Sequence, residues 1–209
     1  MPDGPSVAVA RREPYVLVGI VVAAVVVTAI RPHDAATWWL EAAPVLIGLP
    51  LVVAFRRRFP LTPLLQRLLV VHALILLLGA HYTYARVPLG DWLRGSLDLA
   101  RNPYDRIGHL AQGFVPAILA RELLLRTSPL RRGGWLRFLV TATCLGFSAF
   151  YELIEWWTAL AAGEAADAFL GTQGDVWDTQ WDMALCLLGA IAAQALLWRL
   201  HDRHLARLP

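Results

Sequence analysis

The sequence predicts an all-α fold: a polytopic transmembrane helix bundle of about six spans with both termini cytoplasmic. Three observations carry this reading. Hydrophobic residues make up 57% of the 209-residue chain against 17% charged, more apolar surface than a soluble domain of this size needs. They gather into continuous runs close to the roughly 20 helical residues that cross a hydrocarbon core. The arginines cluster between alternate runs, which sets an orientation.

The runs lie at about 14–30, 38–55, 62–82, 105–125, 136–158 and 179–198. The first follows Arg11 and Arg12. It ends near "VTA", which would pass as a signal-peptide cleavage site, but with five spans still to come it reads as a retained span. The second closes at Arg56, Arg57 and Arg58, and the third ends in "GAHYTYAR". The fourth opens with "YDRIGHLAQGF", the fifth ends in "YELIEWW" and the sixth opens with "DTQWDM". None shows the alternation of a barrel strand, so helix is the spanning form. Residues 1–209 read as a single integral membrane domain.

Division of the chain at these spans puts 14 of its 19 arginines on one side and 12 of its 16 acids on the other. The arginine-rich side is the cytoplasmic one. Most of the nine tryptophans flank the runs, as amphipathic rings do at a membrane interface. Two loops on the acidic side are longer than a turn requires. Within 86–104, Trp92, Leu93, Leu97 and Ala100 fall at roughly helical spacing, as in an amphipathic segment lying in the interface. The 159–178 loop joins a helix-prone stretch to a turn flanked by glycine.

Several function classes are excluded. The chain has no lysine, hence no Schiff-base chemistry. It has no nucleic-acid recognition module, so nucleic acid is not a partner. Cys144 and Cys186 each sit inside an apolar run and read as small buried residues, not as a disulfide. No GxSxG elbow, HExxH or P-loop is present. Ser148 and His72 read as packing residues, with His72 a hydrogen-bonded core histidine. No internal repeat of the inverted-transporter kind is visible.

What remains is a set of ionisable residues at the acidic ends of three spans. Asp105 and His109 are four apart, Glu152 and Glu155 three apart, and Asp178 and Asp182 four apart. Each spacing puts its pair on one helix face. His109, Glu152 and Asp182 lie about one turn, some 5.4 Å, deeper than their partners. His81 can join from the third span, and Asp175 precedes the sixth. Asp105 and Asp178 also suit helix N-caps. The deeper residues do not, and one ionised acid facing lipid costs about 2.5–3.5 kcal/mol. The pattern therefore implies an inward-facing polar chamber.

Carboxylates with one or two histidines suit a divalent metal ion. The candidate ligands are His109, Glu152, Asp182, Asp105, Asp178 and His81. Glu152, Glu155, His109 and Asp182 are the candidate catalytic groups, with Glu155 as general base. Asp175, Arg101 and Arg106 complete the polar surroundings.

The stretches "TWWLEAAPVLI", "RRRFPLTPLL", "GAHYTYARVPL", "NPYDRIGHLAQGFVPAILARELLLRTSPL", "SAFYELIEWW" and "ADAFLGTQGDVWDTQWDM" strongly resemble the YjdF-type inner-membrane proteins, over about positions 35 to 200. That resemblance implies a multi-pass protein of the bacterial inner membrane and carries no activity. A looser likeness is to VanZ-like membrane proteins over spans four to six. Asp105 and His109 match its D-K-x-x-H element, Glu152 and Glu155 its E-x-x-Q helix end with Glu for Gln, and Asp178, Asp182 and Gly189 approximate its acid-rich turn before a Gly-containing helix. The family's Asn has no counterpart here.

Two function classes fit. One is a metal-dependent enzyme acting on a lipid or lipid-linked envelope substrate that approaches along the bilayer. The other is a non-enzymatic cation- or proton-coupled transport or binding protein, with a purely structural membrane factor behind both. The sequence sets no oligomeric state.

Overall fold

In the computed structural model, which describes residues 5–162 and 172–208, each apolar run becomes one long helix. These are α1 (Pro5–Ala29), α2 (Ala35–Phe55) and α3 (Pro63–Tyr82), then a short 3-10 turn (Tyr84–Arg86) and α4 (Pro88–Ser96). The chain continues through α5 (Tyr104–Thr127), α6 (Gly134–Ala162) and α7 (Asp178–Leu205). There is no strand among the described residues. The helix starts are written locally. The Asp34 carboxylate accepts from the Thr37 N–H at 2.7 Å to cap α2. The Thr62 hydroxyl caps α3 ahead of Pro63, whose missing N–H costs nothing at a helix start.

Five helices are long and apolar enough to cross a membrane: α1, α2, α3, α6 and α7. The expected fourth span, α5, is a 24-residue helix and has the length, but not the apolarity. It carries Asp105, Arg106, His109, Arg121, Glu122 and Arg126. The reason lies in its position. Helix α5 packs against α3, α6 and α7, so its solvent is protein and not lipid, and its polar groups find partners there.

Two apolar clusters hold the bundle. Val21, Trp38, Ala42, Val45, Leu77 and Ala80 join α1 and α2 to α3. Leu65, Ile118, Leu136, Val140, Cys186 and Ala193 join α5, α6 and α7 to the opposite end of α3. Large apolar residues also face outward, including Val27, Ile47, Phe147 and Leu196. On a soluble domain such a surface would aggregate; in a bilayer it is the solvated surface.

The tightest joint is α5 against α7. A Cβ on Gly113 would lie 1.9 Å from the Cys186 carbonyl oxygen, and one on Gly189 would lie 2.2 Å from the Leu110 carbonyl oxygen. Glycine at both positions lets the two backbones touch, the usual device where lipid gives helices no hydrophobic reason to associate. Cys144 and Cys186 are buried free thiols, and the Cys186 Sγ lies 3.5 Å from the Cys144 carbonyl oxygen. Ser148 is fully buried.

The loop expected to be amphipathic contains α4, with Leu89 and Trp92 exposed and Leu97 exposed just beyond it. The helix-prone part of the 159–178 loop lies largely outside the described residues; its last part, 172–177, forms the turn before α7.

Candidate functional site

The site assembles where α5 and α7 begin and α6 ends. The start of α5 is fixed by Asn102, a fully buried side chain. Its Oδ1 accepts from the Tyr104 N–H at 3.0 Å, and its Nδ2 donates to the Val87 carbonyl at 3.0 Å and to Asp91 Oδ1 at 3.2 Å. Gln173 holds the turn before α7 onto the same segment. Its Oε1 accepts from the Asn102 N–H at 3.0 Å, and its Nε2 donates to the Asn102 carbonyl at 3.1 Å. A side-chain amide thus pairs with a backbone amide and sets α7 beside α5.

Between these helices, the His109 Nε2 lies 3.5 Å from Asp105 Oδ1 and 3.7 Å from Asp182 Oδ1. One donor atom from each of Asp105, His109 and Asp182 falls within 4.8 Å of the others, and all three residues are buried. Glu152 is buried beside them on α6 and interacts electrostatically with His109, Asp105 and Asp178. Glu155, half-buried one turn further out, interacts with Glu152, His109, Asp105 and Asp182. The His109 Nδ1, Glu152 Oε1 and Asp182 Oδ1 atoms are buried without a hydrogen-bond partner among the described residues. Such atoms are costly to leave unfilled.

Arginines close the rim. The Arg101 guanidinium pairs with Asp178, with Asp105 Oδ2 at 3.4 Å and with Asp175 Oδ2 at 3.5 Å. Arg106 binds Asp175 Oδ2 at 2.9 Å and lies over the Trp181 ring. Burial works against the Arg101 charge, but the Asp178 and Asp105 carboxylates outweigh it and hold the guanidinium pKa above its ordinary value. The half-buried Asp175 carboxyl sits below its usual range, because it accepts from the Trp177 N–H and faces both arginines.

The alternative use of Asp105 and Asp178 as caps is not the one adopted. The N-cap positions are Pro103 for α5 and Trp177 for α7, neither with a side-chain cap; both aspartates turn to Arg101. His81, a candidate ligand, is directed elsewhere: its Nδ1 lies 2.9 Å from the Thr28 carbonyl oxygen. The His72 Nε2, expected to be hydrogen-bonded, is buried without a partner among the described residues.

Two groups escaped the sequence reading. Glu41, on α2, is 5% exposed and interacts electrostatically with Asp105. The signal was there: a lone acid three residues after Trp38 inside an apolar run. At the opposite end of the bundle, Glu122 is fully buried. It accepts from the Thr62 N–H and hydroxyl at 3.0 and 2.7 Å and from Arg126 at 2.8 Å, with His201 Nε2 at 3.0 Å. Arg121 joins His201 at 2.9 Å to Asp202 at 2.7 Å. Counting Arg121 and Arg126 only among the arginines of the cytoplasmic side hid this network, since nothing local links position 122 to position 201.

The family described as "Predicted membrane protein (DUF2238)" matches residues 14–203. The chain belongs to this family. It is also 53% identical to "Inner membrane protein YjdF" of Escherichia coli (strain K12) over 180 residues, 86% of each chain. No solved structure matches. With its membrane-length apolar helices, the chain is a multi-pass protein of the inner membrane.

Proposed function

We propose that this protein binds a divalent cation in the α5–α6–α7 chamber and acts as a metal-dependent enzyme on a lipid or lipid-linked envelope substrate. The observation that supports it is the buried convergence of Asp105, His109 and Asp182, with Glu152 beside them and donor atoms left without hydrogen bonds. Hard oxygen donors with one imidazole suit Mg²⁺, Mn²⁺ or Zn²⁺. Asp105, His109 and Asp182 would hold the ion, with Glu152 and Asp178 as further carboxylates. Bound there, a metal supplies a Lewis acid or an activated water.

Around that centre the chain's own residues divide the work. Arg101 and Arg106 hold the rim carboxylates in place. Glu155, half-buried and facing the chamber, is the general base at its edge. By the arginine distribution both termini are cytoplasmic and the chamber opens toward the periplasmic face. The exposed Trp92 of α4 and Trp156 and Trp157 of α6 then lie at headgroup depth, where a lipid-linked phosphate could enter sideways.

A second reading is cation- or proton-coupled transport. It is favoured by the buried Glu122–His201–Arg121 network at the far end of the same two helices, α5 and α7.

Elemental analysis of the detergent-purified protein tests the proposal, alongside His109→Ala and Glu152→Gln. Stoichiometric metal in the wild type and its loss in both variants is the expected result, together with metal-dependent release of headgroup phosphate from mixed micelles. Metal without phosphate release favours the transport reading. A wild type free of metal after dialysis against micromolar Mn²⁺, Mg²⁺ and Zn²⁺ overturns the metal reading.

A further inference from the structure

Resting on the cation-binding reading, we infer that Glu41 is a further carboxylate of the same chamber, supplied by a fourth helix, so that a hard divalent cation bound there is enclosed from the α2 side as well. Helix α2 runs along α3 with only a small contact to α1, and it is apolar from Trp38 to Phe55 except for this one acid. Glu41 is buried, and its Oε2 has no hydrogen-bond partner among the described residues. No arginine or histidine among the described residues pairs with it as an ion pair. A buried carboxyl without donors costs on the order of several kcal/mol, which a helix does not carry for packing alone.

The groups that interact electrostatically with Glu41 include one of the site. Of the charged groups, Asp105 is the one it interacts with, and the phenols of Tyr84 and Tyr151 also interact with it. Tyr84 is held in a slot between α3 and α5 that only glycine leaves open. A Cβ on Gly79 would lie 2.5 Å from its ring, and one on Gly108 would lie 2.8 Å from it. Gly108 is the residue before His109. The slot between α3 and α5 is thus filled by a phenol ring against the metal-binding stretch of α5, and Glu41 interacts electrostatically with both that phenol and Asp105. A cation on Asp105 attracts the Glu41 carboxylate directly, or through one bridging water.

The test uses the wild-type protein in detergent with Mn²⁺ as the probe. Electron paramagnetic resonance measures binding, and a hydrophobic carbodiimide labels buried carboxyls, with the adducts located by mass spectrometry. The expected result is an adduct on Glu41 without Mn²⁺, and its suppression at least fivefold at saturating Mn²⁺. That suppression should be absent in Asp182→Asn, which no longer binds the ion. Glu41→Gln should weaken Mn²⁺ about tenfold, while Asp98→Asn, a loop acid at the same end, changes it less than twofold. If Mn²⁺ binds the wild type but leaves the Glu41 adduct unchanged, or if Glu41 is never labelled, the inference is overturned and the cation-binding reading survives. If resonance shows no Mn²⁺ bound to the wild type, that reading fails and takes the inference with it.

Discussion

Replacing Gly113 by alanine should loosen the joint on which the site depends. The added Cβ would stand 1.9 Å from the Cys186 carbonyl oxygen, with the Cys186 carbonyl carbon and Cα also inside 3 Å. Ordinary contact begins near 3.4 Å, so α5 and α7 must separate locally by about 1.5 Å. No flexible side chain can yield in their place, because every clashing atom is backbone. Overpacking of this kind costs about 1–3 kcal/mol.

The chemistry should suffer with the packing. Gly113 is one turn along α5 from His109, and Cys186 is one turn along α7 from Asp182, so the strained contact and the His109–Asp182 pair share one register. Their separation of 3.7 Å would open to about 5 Å, the limit for two ligands sharing one cation at about 2.0–2.6 Å from each. Thermal unfolding in detergent, followed by tryptophan fluorescence, should show a lowered Tm, and Mn²⁺ affinity should fall more than tenfold. Gly189→Ala should behave alike. Gly146→Ala is the internal contrast: nothing lies within 4 Å of a Cβ there, and alanine in a helix should raise stability by about 0.5–1 kcal/mol. A Gly113→Ala protein that melts with the wild type would refute the close approach of α5 and α7.

Two further outcomes are expected. Glu122→Ala removes a fully buried acceptor of four contacts and leaves Arg126 and His201 facing a void. It should destabilise by about 3–5 kcal/mol in the same melting assay, with Glu122→Gln intermediate. Asp34→Ala removes the cap of α2 and should cost about 1 kcal/mol at neutral pH. The Thr37 N–H holds the Asp34 carboxyl below its ordinary 3.8, so its contribution is complete above that value. It disappears as pH falls through the lower folded value. Melts of the two proteins should therefore differ at pH 7 and converge only in strong acid.

The helices were legible because membrane length and continuous apolarity leave few choices. The starts of α2 and α3, by contrast, are set by Asp34, Thr62 and Pro63, whose capping the structure shows. Asp105 could be matched with His109, and Asp178 with Asp182, by spacing, since residues four apart share a face on any helix. Their partners could not. Arg101 and Arg106 could be assigned only to the polar surroundings until the fold brought Asp175 and Asp178 back beside them, some seventy residues later. His81 has a plausible depth by sequence, yet its ring bonds to Thr28. Glu41 sits alone in an apolar stretch, and Glu122, flanked by Arg121 and one turn from Arg126, meets Thr62 and His201 only through long-range packing.

Composition and run length by themselves determined that the chain lives in a bilayer as helices, because water would not tolerate this surface and lipid would not tolerate unpaired backbone. Tertiary structure decided which helix is the centre. Helix α5, the least apolar of the long helices, is placed where protein surrounds it, and two glycines decide how closely α7 approaches. Whether a given glycine is such a contact, as Gly113 and Gly189 are, or faces open space, as Gly146 does, depends on which backbone lies opposite. That is a property of the packed bundle and not of any stretch of sequence.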